Sequence, residues 1–159
     1  MNTSSPQFVL AARVLHWLIA ALILTMLFIG VGMVASVSER HEWLIRIHKP
    51  LGIAILLLAV VRLIVRLRNP PPPLPADLPA IQKLAAHASH WLLYLLMLVI
   101  PLVGWAMLSA GGYPVMLSDS LRLPPIFPVS PVAFAVLRHT HAWLAMLLFL
   151  TFLDRKSVV

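Results

Sequence analysis

The sequence predicts an all-α protein, an integral membrane four-helix bundle that forms a single domain over residues 1–159. Hydrophobic residues make up 61% of the chain and charged residues only 11%. A soluble domain is about half apolar and a quarter charged, so these few charges cannot cover a soluble surface. The same hydrophobicity excludes intrinsic disorder. Four apolar segments are each close to the roughly 20 residues that cross a bilayer as a helix.

The four predicted spans cover residues 14–37, 44–67, 91–108 and 132–153. The apolar run of the first span is too long for a cleavable signal peptide, so we expect it to remain as part of the bundle. The second span has a dense apolar centre over residues 51–61. Backbone groups in lipid must hydrogen-bond within their own segment, and all four spans are therefore expected to be helices.

The connections between the spans also carry information. Prolines crowd residues 70–79, which predicts a stiff, extended linker between the second and third spans. Residues 111–131 predict an irregular loop with one short surface turn. The basic cluster Arg62, Arg66 and Arg68 at the end of the second span favours a cytoplasmic location for that end, and hence for the N-terminus.

The absence of cysteine limits the metal chemistry open to the chain. It excludes disulfides, thiolate metal sites and the covalent attachment of a c-type haem. Any metal must therefore be held by histidine, methionine or oxygen ligands. The net charge of +7 is typical of the basic loops of a membrane protein, and no basic stripe with interleaved aromatic residues predicts nucleic-acid binding.

Histidines form the most informative pattern. Five of the seven lie within or next to the spans: His16, His48, His87, His90 and His141. Ionisable groups inside a span are costly and usually functional, although each one alone could be an interfacial residue that bonds to water or headgroups. With a cytoplasmic N-terminus, His48 and His141 head their spans on the periplasmic side. His16 and His90 head theirs on the cytoplasmic side. One imidazole from each of two facing helices can ligate haem iron, so the two layers predict electron transfer across the membrane between two cofactors.

Arginines accompany the cytoplasmic layer. Arg62 stands fourteen residues after His48, about 21 Å along a helix and on nearly the same face. Arg62 and Arg66 are neighbours at i,i+4 and can either bind haem propionates or extend to anionic headgroups. Arg13, three residues before His16, has the same two interpretations.

Several motifs at family-like spacing resemble the bacterial cytochrome b561 family. They are RVLHW at 13–17, IHKPLG at 47–52, VRLIVRLRNPPP at 61–72, AHASH at 86–90, IPLVGW at 100–105 and HTHAWL at 139–144. The resemblance covers roughly residues 8–153, and it extends more distantly to the cytochrome b subunits of nickel–iron hydrogenases and formate dehydrogenases.

The resemblance implies two b-type haems inside the bundle. The periplasmic haem is expected between His48 and His141. The cytoplasmic haem is expected between His16 and a further histidine late in the fourth helix. His90 matches a family histidine near the cytoplasmic layer, where it would serve the quinone site, the haem surroundings or a replacement ligand.

The chain departs from the family pattern near its end. Arg155 occupies the position of that further histidine, and the chain stops four residues later. We expect a truncated or frameshifted terminus; the alternative is a natural helix ending. The cytoplasmic haem would then be lost, be five-coordinate or use His90, whereas the periplasmic haem keeps both ligands.

These observations predict a b-type cytochrome of the bacterial inner membrane that moves electrons between a periplasmic donor and ubiquinone. Superoxide is a candidate donor, attracted by Arg40, Arg46 and Lys49; the chain would then act as a superoxide:ubiquinone oxidoreductase. One alternative is a haem-bearing anchor subunit that receives electrons from a redox partner protein such as a hydrogenase or dehydrogenase. Another is a haem-free helical membrane protein, which leaves the layered histidines unexplained.

Overall fold

Four long helices form the protein in the computed structural model, which describes residues 10–69, 77–118 and 120–154, with side chains to residue 152. They are α1 (Leu10–Val34), α2 (Glu39–Arg68), α3 (Ala80–Ala110) and α4 (Pro131–Asp154). Each is long and apolar enough to cross a bilayer. The predicted all-α membrane bundle is confirmed.

Several helix ends differ from the predicted spans. α1 begins four residues before residue 14 and ends at Val34 rather than 37. α2 begins at Glu39 rather than 44, directly after Ser38, and acidic residues in its first turn suit the positive end of the helix dipole. α3 begins at Ala80, after Pro79, far ahead of the predicted residue 91. Hydropathy marks the part of a helix that lies in lipid, whereas caps and prolines set where it begins and ends.

Neighbouring helices run antiparallel. A Cβ added at Gly32 of α1 would lie 3.0 Å from Leu44 of α2, and one added at Gly52 of α2 would lie 3.6 Å from Met26 of α1. The residue numbers therefore fall along α1 as they rise along α2. α1 packs mainly on α2 and α4 mainly on α3, while α2 and α3 join the two pairs. The bundle therefore consists of two helical hairpins, α1–α2 and α3–α4.

A small buried core holds the two hairpins together. It consists of Ile19, Ala59, Tyr94 and Met97. Many other large apolar side chains point away from the bundle, among them Phe28 at 78% exposure and Trp143 at 74%. An apolar surface of this extent fits acyl chains as its surroundings.

The connection between α3 and α4 is more ordered than predicted. Two short strands, β1 (Val115–Met116) and β2 (Arg122–Leu123), pair antiparallel within it. Gly112 has a φ of +71°, a conformation that favours glycine, in the turn that leads from α3 towards β1. Val115 is buried, so this loop closes one end of the bundle.

Side chains of α3 hold the same connection in place. The indole N–H of Trp105 donates to the carbonyl of Pro124 at 3.0 Å. The hydroxyl of Ser109 accepts from the amide of Ile126 at 3.1 Å. We call this the loop end of the bundle, and the opposite end, where α2 ends at Arg68 and α3 begins, the linker end. Most of the predicted proline linker, residues 70–76, lies outside the described residues.

Candidate cofactor site

Two histidines from different hairpins face each other inside the bundle. His48 of α2 and His141 of α4 have ring centroids 6.1 Å apart, with an angle of 67° between the ring planes. Both side chains are half-buried. Each lies more than two turns inside its helix, so the prediction that they head their helices is wrong: α2 and α4 begin earlier, at Glu39 and Pro131.

The separation of the two rings suits a metal held between them. A metal–imidazole bond of roughly 2 Å on each side, and about 1 Å from each ring nitrogen to its centroid, together give roughly 6 Å. Within the described residues, no group of three or more His, Asp or Glu is arranged to hold a bare ion. Two opposed imidazoles instead suit a metal whose other ligands come from a macrocycle, as in haem.

A hydrogen bond to the backbone of α3 orients His141. Its Nδ1 lies 3.1 Å from the carbonyl oxygen of Ile100. A carbonyl can only accept, so Nδ1 donates and Nε2 is left as the ligand atom, which is the usual arrangement of metal-binding histidines. Gly104 makes room for the ring, because a Cβ there would lie 3.1 Å from Cε1 of His141.

His48 is held differently. Its Nδ1 is buried and has no hydrogen-bond partner within the described part of the chain. A buried ring nitrogen without a partner is costly, so this orphaned atom marks a site whose polar groups are completed by something it binds.

An apolar cavity surrounds the two rings. All four helices line it, with Met26 from α1, Leu96 from α3 and Leu148 from α4 among the apolar contributors. Val115 of β1 contributes to the lining as well. A concave, mostly apolar lining with a few convergent polar groups, here the two imidazoles, is typical of cofactor sites. The residues present therefore fit a haem at this position.

A second cluster lies nearer the linker end. The guanidinium carbons of Arg62 and Arg66 each lie 5.4 Å from the ring centroid of Tyr94, which is buried. None of the described carboxylates forms an ion pair with either arginine. Two cations held against one ring, without an acidic partner among these residues, make a site suited to an anion.

The other predicted site residues also lie towards this end. His16 is half-buried three residues before Ile19 of the core, and its ring centroid lies 5.4 Å from that of Trp17. His90 directs Nδ1 to the carbonyl of Ala86 at 2.7 Å. Neither histidine lines the cavity around His48.

Arg13 is exposed, one turn before His16. Arg155 lies outside the described residues, so the predicted loss of a ligand there stays a prediction.

Sequence reasoning missed three contributors to these sites. Tyr94 is not among the predicted site residues, although its aromatic ring among aliphatic residues is a usable signal. Val115 was assigned to an irregular loop. The carbonyl of Ile100 carries no side-chain signal at all.

Fold and site together define a multi-pass helical membrane protein with an opposed histidine pair in an apolar cavity. The sequence matches the family model described as prokaryotic cytochrome b561 over residues 7–153. The chain belongs to the prokaryotic cytochrome b561 family, and this membership implies a b-type haem and a role in electron transport.

Two curated relatives agree with this assignment. The chain is 32% identical to cytochrome b561 homolog 2 of Escherichia coli (strain K12) over 148 residues, which are 91% of this chain and 77% of the relative. It is 35% identical to the "Probable superoxide oxidase CybB" of Yersinia pestis over 100 residues, which are 62% of this chain. The match spans only 56% of that relative's length.

Proposed function

We propose that the protein is a b-type cytochrome of the bacterial inner membrane that passes single electrons between a periplasmic donor and ubiquinone. The observation that carries the proposal is the opposed pair His48 and His141 across an apolar cavity. Family membership supports it independently. In this proposal the N-terminus is cytoplasmic, and the loop end of the bundle faces the periplasm.

The residues of the cavity have distinct tasks. His48 and His141 would hold the haem, which when bound supplies the one-electron couple. The carbonyl of Ile100 keeps the proton of His141 on Nδ1 and so presents Nε2. The apolar walls exclude water, which keeps the surroundings of the site at low polarity.

The cluster at the linker end supports a second haem. There Arg62 and Arg66 would bind haem carboxylates, with their guanidinium groups aligned by the ring of Tyr94. His16 would supply one ligand. His90 would serve the quinone site or supply the second ligand of this haem.

Superoxide is our proposed donor. The relative from Yersinia pestis is named a probable superoxide oxidase. Arg40 and Arg46 lie near the start of α2 and are exposed at the loop end, where positive charge raises the local concentration of a small anion.

A reduced-minus-oxidised absorbance spectrum of the detergent-purified chain, with haem quantified per protein, tests the proposal first. We expect a b-type α band. His48→Ala and His141→Ala should each abolish the haem of the cavity. His139→Ala is the matched control, because His139 is exposed on the same helix two residues before His141 and should retain the haem.

The outcomes separate the alternatives. A chain without haem absorbance would refute the cytochrome. Two haems per chain would require a substitute ligand at the linker end, and His90→Ala should then remove one of them. Superoxide-dependent reduction of a ubiquinone analogue tests the donor. If the chain lacks this activity and a dehydrogenase co-purifies with it, the anchor-subunit alternative is favoured.

A further inference from the structure

Lys49 supplies the one cationic side chain that lines the cavity. The titratable side chains in its wall are those of His48, Lys49 and His141, and all three lie in the described part of the chain. Lys49 directly follows His48 on α2 and is half-buried. Lys49 therefore borders the same space as the two imidazoles, and its Nζ lies beside Pro114, next to Val115 of the cavity wall.

Among the described residues, the ammonium group of Lys49 has a single hydrogen-bond partner. Nζ makes one long hydrogen bond, 3.4 Å to the carbonyl of Pro114 in the α3–α4 connection. A lysine ammonium has three donors, so Nζ can bind an anion in addition to this carbonyl. No described acidic side chain forms an ion pair with it.

We propose that Lys49 binds a carboxylate of the group held between His48 and His141. This inference rests on the proposed function, because the group with carboxylates is the haem. Lys49 is then a positioning residue. The two imidazoles alone would leave the haem free to rotate about the axis that joins them, and a bond from Lys49 to a haem carboxylate would fix that rotation.

The same charge affects the redox equilibrium. One-electron reduction adds a negative charge to the site, and a fixed cation nearby in a low-dielectric cavity favours the reduced form. Lys49 therefore raises the reduction potential of the cavity haem. The bond to Pro114 also ties this charge to the α3–α4 connection, so the cation stays at the cavity wall instead of extending to the membrane surface.

The test measures the midpoint potential and the haem content of the full chain in detergent, without an activity assay. Lys49→Met removes the charge and keeps much of the volume, whereas Lys49→Arg keeps the charge. Arg138→Met is the matched control, because Arg138 is exposed three residues before His141 and does not line the cavity.

We expect Lys49→Met to lower the midpoint potential of the cavity haem. The oxidised-to-reduced ratio at a fixed potential should rise about tenfold, which corresponds to a fall of about 59 mV for one electron. Haem content should fall as well, with the α band still that of two histidine ligands. Lys49→Arg should stay close to the unmodified chain, and Arg138→Met should not shift the potential.

Equal potentials and haem contents for Lys49→Met and Arg138→Met would overturn the inference, since Lys49 would then be a surface cation. If Lys49→Met does not fold, Lys49→Gln takes its place with the same expected shift. Absence of haem from the unmodified chain would refute the proposed function instead. Haem binding by the unmodified chain is therefore measured before the Lys49 variants.

Discussion

Gly104→Ala tests the geometry of the cavity most directly. Gly104 lies on α3 opposite His141, and a Cβ at this position would come within 3.1 Å of Cε1 and 3.3 Å of Nδ1 of that ring. Carbon atoms in comfortable contact lie about 3.5–4.0 Å apart, so the imidazole must move by a few tenths of an ångström. That movement also disturbs the 3.1 Å bond to the carbonyl of Ile100.

The size of the effect follows from the required movement. Turning a side chain about 30° away from its preferred rotamer costs roughly 0.5–1.5 kcal/mol. Haem affinity should therefore fall by a factor of about 2 to 10. The stability of the haem-free bundle should change little, because the helix preference for alanine over glycine, about 0.8–1.0 kcal/mol, offsets the cost of turning a ring that no ligand yet fixes.

Two other glycines provide graded controls for this prediction. Gly52→Ala would place its Cβ 3.6 Å from the end of Met26, an ordinary contact, and Gly30→Ala meets nothing within 4 Å. The assay is haem bound per chain at limiting haem, together with the spectrum of the bound form. If Gly104→Ala binds haem as well as Gly30→Ala does, the argument that this glycine makes room for the axial ring fails.

Two further substitutions test contacts outside the cavity. Tyr94→Leu removes the ring against which Arg62 and Arg66 lie. It should lower the apparent melting temperature, because each desolvated cation–π contact is worth about 1–2 kcal/mol. Tyr94→Phe keeps the ring and should have a smaller effect. Ser109→Ala removes the acceptor of the Ile126 amide, which should cost about 1 kcal/mol and speed proteolysis of residues 111–130.

Each of these predictions has a direct check. Equal melting temperatures for the leucine and phenylalanine variants would show that the ring of Tyr94 does not stabilise the two arginines. For the loop, Ser36→Ala is the control, because Ser36 follows the end of α1 and its hydroxyl donates a local bond to the carbonyl of Gly32, outside the α3–α4 connection. Unchanged proteolysis of Ser109→Ala relative to this control would contradict the role assigned to Ser109.

The number and type of the helices were predictable because lipid allows few alternatives. An apolar segment of sufficient length that must satisfy its own backbone becomes a helix, whatever its neighbours are. Hydropathy likewise assigned His48 and His141 to the same end of the bundle, although it put them at the heads of their helices, and both lie more than two turns inside. The functional role assigned to each histidine stays a prediction until haem binding is measured.

The remaining features depend on contacts between distant residues. The start of α3 at Ala80 was missed because its first turns are too polar for a span but follow Pro79, which suits a helix start. The strand pair in the α3–α4 connection was missed because pairing of two residues with two others leaves little pattern in the sequence. The bond from His141 to the carbonyl of Ile100 joins residues 41 apart, so no local pattern indicates it.

The division of the bundle into two hairpins has a consequence for assembly. His48 belongs to the α1–α2 hairpin and His141 to the α3–α4 hairpin, so neither half contains both rings. A group bound by both imidazoles would therefore crosslink the two hairpins, which otherwise pack on each other through α2 and α3. Cofactor binding and the association of the two hairpins would then be thermodynamically linked, so that each favours the other. The supply of cofactor would set the fraction of the protein that forms the closed bundle.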